Sequence, residues 1–119
     1  MKKTFITGKY RSSLETKRCI QGVRVSLPVL TVQGRRPGKT AVIMAAQHGT
    51  ELNGIAVIER VFSRLDPRQL KGRVVFLPVM NPIGVRAHIG SYPIGDGDNM
   101  NRVWWEALTA PSLVVSRSE

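Results

Sequence analysis

His48 and Glu51 stand three residues apart where a mostly apolar strand, residues 41–47, reaches Gly49, and an imidazole and a carboxylate at that spacing can hold one cation between them. The arrangement requires a strand to end near Gly49 and a helix to begin near Glu51, so that both side chains leave the backbone on the same side. Zinc suits such donors, because catalytic zinc sites often combine two histidines with one glutamate and keep a fourth position for water. A second polar group lies further along, where Asn101 and Arg102 follow the Gly/Asp-rich run Asp96-Gly97-Asp98-Asn99. A planar guanidinium beside an amide can grip a carboxylate through two parallel hydrogen bonds. Taken together, the two clusters describe a metal beside an anion clamp.

The elements that must carry these residues follow from hydropathy and turn chemistry. Residues 41–46, Ala-Val-Ile-Met-Ala-Ala, are apolar throughout, which predicts a strand covered on both faces. A turn at residues 34–39 precedes it. After Glu51, the apolar positions Leu52, Ile55, Ala56, Ile58, Val61, Phe62 and Leu65 recur at intervals of three and four, predicting an amphipathic helix that stops before Asp66-Pro67. Thr50 is placed to cap that helix, which would set Glu51 in its first turn. There Glu51 would also complement the helix dipole, with or without a metal. Residues 72–79 predict the next strand, and Asn81-Pro82 ends it where α/β folds place their ligands. Strand, helix and strand make one βαβ crossover, so a neighbouring parallel pair is expected. Residues 83–101 predict a long loop of the kind that carries function. Upstream, residues 23–32 alternate as a strand whose Pro28 predicts an edge position, while residues 1–21 read either as an irregular lead-in or as a first edge strand. Trp104 and Trp105 open a short helix and are expected to pack rather than to stack on substrate.

In order and spacing, the segments His48-Gly49-Thr50-Glu51, Asn81-Pro82-Ile83-Gly84 and Asp98-Asn99-Met100-Asn101-Arg102 resemble the zinc carboxypeptidase superfamily, most closely its succinylglutamate desuccinylase/aspartoacylase branch, across residues 29–105. The resemblance implies an α/β chain that forms the N-terminal part of a three-layer α/β/α fold with a mixed, mostly parallel sheet. Residues 1–108 would be an incomplete catalytic domain and residues 109–119 an unmatched tail. The implied activity is a zinc-dependent hydrolase that cleaves an amide or ester bond of an acylated small molecule, such as an N-acyl amino acid. His48 and Glu51 match the first two zinc ligands. Asn101 and Arg102 match the pair that binds the substrate's carboxylate, and Arg86 matches a further arginine near the scissile carbonyl. In many members that last arginine lies closer to the Asn-Arg pair, where this chain has Gly90-Ser91-Tyr92. The resemblance also implies a third ligand, a histidine, and a water-activating glutamate, both from well downstream of Arg102. His88 precedes the Asn-Arg pair and Glu106 follows it too closely to match either. No proton-transfer residue is therefore expected within these 119 residues, and weak or no activity is expected of the chain alone. The alternative is a non-catalytic relic, or a small basic domain that binds through the former anion pocket.

Composition narrows the remaining classes. One domain is the most that 119 residues allow, and a chain of this size can bury a core. A hydrophobic content of 42% excludes a disordered chain. No apolar run approaches the ~20 residues that span a bilayer, and polar residues interrupt the Met1-Lys2-Lys3 start before a signal segment forms. No membrane partner is expected. The single cysteine, Cys19, excludes an internal disulfide and fits a reducing, cytoplasmic location. A net charge of +10 raises the question of nucleic acid. The basic residues, however, come in short pairs such as Lys2-Lys3 and Arg35-Arg36 or singly at Arg68, Lys71 and Arg73, with no interleaved aromatics on which bases would stack. Arg60 and Arg64, four apart, predict the solvated face of the helix. The expected partner is a small molecule with a carboxylate rather than a nucleic acid.

Overall fold

The β-branched and apolar stretches become four strands in a computed structural model that describes residues 6–20 and 22–90. They are β1 (Gly8–Ile20), β2 (Val23–Gln33), β3 (Arg36–Met44) and β4 (Lys71–Leu77), hydrogen-bonded in the order β1-β2-β4-β3. Helix α1 (Asn53–Arg64) lies between β3 and β4 in the chain, and the short helix α2 (Pro82–Ala87) follows β4. β2 pairs antiparallel with both β1 and β4, whereas β3 and β4 pair parallel. The parallel pair is the one joined through a helix, because parallel neighbours need a crossover long enough to return the chain to the same end. The fold is α/β, a mixed sheet with helices.

Period decides which side chains make the core. Ile58 and Phe62, one helical turn apart, point α1 into the sheet and meet Leu30 and Val32 of β2 and Phe76 of β4. The rings of Phe62 and Phe76 meet edge to face, with centroids 6.2 Å apart and planes at 85°. Arg60 and Arg64 are exposed, as a solvated helix face requires. Cations from β1 close one side of this core. The Arg11 guanidinium clasps Glu59 through bonds of 3.1 and 2.8 Å and stands 5.0 Å from the centre of the Phe62 ring. Lys9 Nζ lies 5.5 Å from the same centre and donates to the Ser63 carbonyl at 2.8 Å. Part of the basic excess thus serves to fasten β1 to α1 through cation–π and hydrogen-bond contacts.

Several expectations are corrected. Of the two readings of the N-terminal stretch, the edge strand holds, since β1 runs for 13 residues. β2 is not at an edge. Pro28 pairs with Ser13 on β1, while the β2–β4 register begins only at Leu30, so the absent N–H interrupts no bond between β2 and β4. The expected turn at 34–39 is shorter, because Arg36 already pairs with Lys71 across an irregular register. The expected cover on both faces of residues 41–46 is overturned, for every residue of β3 is exposed. α1 sits over β2 and β4, and among the described residues β3 stands at the edge of the sheet beyond it. α1 begins at Asn53 with Leu52 at the cap position and no side-chain cap bond, so Thr50 is not its cap and Glu51 is not in its first turn. The expected loop at 83–101 starts instead as α2, with Pro82 in its first turn and the Asn81 side chain accepting from the Gly84 N–H. Trp104 and Trp105 lie outside the described residues. Among the described residues no helix is long and apolar enough to cross a membrane.

Candidate functional site

The site is built where β3 leaves the sheet. After Met44 the chain stays attached to the β4 side through three main-chain bonds: Ala45 N–H to Leu77 O, Met80 N–H to Ala45 O and Asn81 N–H to Ala46 O, each 3.0 Å. Ala46 then takes a left-handed backbone conformation, with φ of 51°. That region is uncommon for a residue with a Cβ, and here it is buried. The reversal carries residues 47–50 out of the sheet and across its carboxyl end. Gly49 donates its N–H to Ile89 O at 2.9 Å. A Cβ at Gly49 would collide with the Gly84 and Ile89 carbonyls, so the close approach of the two backbones requires glycine.

A second turn completes the pair. The Glu51 N–H donates to His48 O at 3.2 Å, and this closure brings His48 Nδ1 to 2.8 Å from Glu51 Oε1. The expected convergence of imidazole and carboxylate is therefore present, but a tight turn produces it rather than a strand followed at once by a helix. The two side chains differ in environment. His48 is 17% exposed and Glu51 61% exposed, so the pair is sheltered on the imidazole side and open to solvent on the carboxylate side. Both atoms are of the donor types that zinc accepts.

The remaining residues named from sequence are placed as follows. Arg86 is exposed in the last turn of α2, the helix whose Gly84 touches Gly49. His88 ends α2 in a left-handed conformation, with φ of 53°, and is exposed. Among the described residues no three His, Cys, Asp or Glu side chains gather into a metal-holding group, so His88 does not complete one with His48 and Glu51. Asn101, Arg102 and Glu106 lie outside the described residues. Asn81, which the sequence marks as a strand terminator and as the start of the Asn81-Pro82-Ile83-Gly84 segment, turns out to be a buried polar side chain at the joint of the site. An Asn before Pro is a helix-cap signal, and that signal was available. Nothing in the residue type of Ala46 announces its left-handed backbone.

Comparison with known proteins follows the same motifs. The family model described as the Succinylglutamate desuccinylase/Aspartoacylase catalytic domain matches residues 37–113. The N-alpha-acetyl-L-2,4-diaminobutyric acid deacetylase of Halomonas elongata is 38% identical over 78 residues, covering 66% of this chain and 22% of that protein. Among solved structures, an aspartoacylase family protein from Mesorhizobium loti superposes with a TM-score of 0.70 at 30% identity, over 83% of this chain and 31% of its own. The ectoine utilization protein EutE from Ruegeria pomeroyi has the same fold, with a TM-score of 0.71 at 23% identity over 84% of this chain and 31% of its own. The chain thus spans less than a third of the length of these relatives. The family model covers more than half of the sequence, including His48, Glu51, Arg86, Asn101 and Arg102, and the chain belongs to the succinylglutamate desuccinylase/aspartoacylase family.

Proposed function

We propose that this chain supplies the zinc-binding and substrate-orienting part of a cytoplasmic, zinc-dependent deacylase of N-acyl amino acids. The observation that carries the reading is the 2.8 Å approach of His48 Nδ1 to Glu51 Oε1 at the carboxyl end of the sheet, in a chain of this family. An imidazole nitrogen and a carboxylate oxygen are two of the ligand types of a catalytic zinc site, so the donor set fits as far as it goes. His48 and Glu51 would hold the ion, and zinc, when bound, supplies Lewis acidity toward a substrate carbonyl and toward water. Asn101 and Arg102 would grip the carboxylate of the substrate and fix its position. Arg86, exposed on α2 beside the His48 turn, would face the oxygen on which negative charge develops. The name of the Halomonas relative, a deacetylase of an N-acetylated amino acid, supports the substrate class.

No residue of this chain is assigned the proton transfers. General acid–base catalysis contributes roughly 10²- to 10⁴-fold, so binding and orientation alone should not give measurable turnover. The test is release of carboxylic acid from N-acetyl and N-succinyl amino acids by the purified 119-residue chain, with and without zinc. The expected rate is that of a zinc-containing buffer, together with N-acyl amino acid binding that Arg102→Ala removes. Zinc-dependent turnover abolished by His48→Ala and Arg102→Ala would overturn this division of roles and give Glu106 or His88 a part in proton transfer.

A further inference from the structure

We infer that Asn81 is a positioning residue for the His48–Glu51 pair, acting as a latch between the turn that carries the pair and helix α2. Asn81 is 4% exposed, and it is the one polar residue in the buried set among the described residues. Both ends of its amide are used. Oδ1 accepts from the Gly84 N–H at 2.9 Å, and Nδ2 donates to the Gln47 carbonyl at 3.2 Å. The amide has only one orientation that satisfies both partners, since a main-chain N–H can only donate and a carbonyl can only accept. Asn81 also donates its main-chain N–H to Ala46 O at 3.0 Å. One residue therefore holds the two peptide units that lead into His48, of which the first is the left-handed Ala46.

The latch is matched on the far side of His48, where the Gly49 N–H bonds to Ile89 O just beyond α2. His48 is thus bracketed by contacts to one small structural unit, residues 81–89. Non-glycine residues keep a left-handed backbone only where their surroundings over-determine it, and these bonds do so at Ala46. The same unit carries Arg86, so the latch fixes the turn that bears His48 against the helix backbone from which Arg86 projects. Gly84 belongs to the device, because a Cβ there would press on the Asn81 amide, with Nδ2 2.6 Å away. The chemistry also specifies the residue. A carboxylate at position 81 would keep the acceptor for Gly84 N–H but lose the donor to Gln47 O, and it would set two acceptors against each other in a buried place.

This inference rests on the reading of His48 and Glu51 as metal ligands, and the test separates the two. Amide hydrogen exchange and cobalt(II) titration are measured on the full 119-residue chain, wild type and Asn81→Asp. The variant retains the α2 cap, so the expected result is faster exchange at Gly49 and Glu51, unchanged exchange at Phe76 in the core, and cobalt binding weakened by roughly tenfold or more, as for outer residues that orient a ligand. Should Asn81→Asp fail to fold, Asn81→Ser is measured in the same way, since its hydroxyl can cap α2 but cannot span to Gln47 O. Exchange at Gly49 that stays at the wild-type rate would overturn the latch. So would exchange that rises equally at Gly49 and Phe76, which would mean a merely global loss of stability. A wild-type chain without His48-dependent cobalt binding would overturn the metal reading instead, while faster Gly49 exchange in the variant would still support the latch.

Discussion

His48 and Glu51 offer two donor atoms, and two protein donors leave a zinc ion dependent on water for the rest of its coordination. Weak binding is the expected outcome of equilibrium dialysis, lost in both His48→Ala and Glu51→Ala. Tight, stoichiometric binding that both substitutions abolish would reveal a third protein ligand among residues 91–119 or at His88. The pair's adjacency was legible in the sequence because Gly49 signals a break in the strand, whereas a strand running on would set residues three apart on opposite faces. The means was not legible. A Thr before Glu reads as a helix cap, yet the Glu51 N–H is taken by His48 O and α1 begins only at Asn53. Gly49 is a sharper case. Its necessity comes from the backbone of α2, remote in sequence, and no local signal records that approach. Gly49→Ala should destabilise the chain by about 1–3 kcal/mol, the usual cost of forcing added volume into a packed place. Chemical denaturation with an unchanged midpoint would remove that claim.

At the scale of elements, α1 was legible from the three-and-four spacing that records which side faces the sheet, and the structure buries the expected Ile58 and Phe62. Cover on β3 was not legible, because Val42, Ile43 and Met44 read alike whether or not anything lies over them. Pro28 misled for a related reason. Proline excludes a strand from the middle of a ladder, but β2 is paired on both sides only beyond it. Phe76 is fully buried and joins β4 to α1 through Phe62, so Phe76→Ala should cost about 3–5 kcal/mol and leave little folded chain in thermal or denaturant unfolding. The link between β1 and α1 carries a dependence on pH. Hydrogen bonds from Arg11 hold the Glu59 carboxyl below the usual glutamate range. A depressed carboxylate contributes stability that is present above the unfolded value, about 4.3, and is lost as pH falls through the folded one. Glu59→Gln should therefore lower stability at neutral pH, with the difference from wild type shrinking on acidification below about pH 4. Equal differences at pH 7 and pH 3 would show that the ion pair contributes nothing through charge.

The molecule as a whole sets two tendencies against each other. Among the described residues α1 covers one face of the sheet, while β3 presents an unpaired edge and the apolar side chains Val42, Ile43 and Met44, which are 54%, 43% and 40% exposed. Val57 and Val61 add exposed apolar surface on α1. Such an edge is a template for pairing with another chain. Against this stands a net charge of +10, which keeps copies apart. Range decides the balance. Charge repulsion is screened beyond ~8 Å at physiological ionic strength, whereas strand pairing and apolar contact act at contact distance and are not. The chain should therefore self-associate in sedimentation velocity at physiological salt, and more strongly as salt rises. The register says which residue to change. Ile43 pairs with Phe76 and shares the face that α1 covers, whereas Val42 pairs with Val75 and points to the opposite face. Val42→Lys places a charge on the edge strand without touching the core, and it should shift the chain toward monomer with little loss of stability. A wild-type chain that runs as one monomeric species at every concentration and salt tested, and unfolds cooperatively, would sink the expectation. Association that survives Val42→Lys but is lost in Val57→Lys would move the sticky surface from the β3 edge to the outer face of α1.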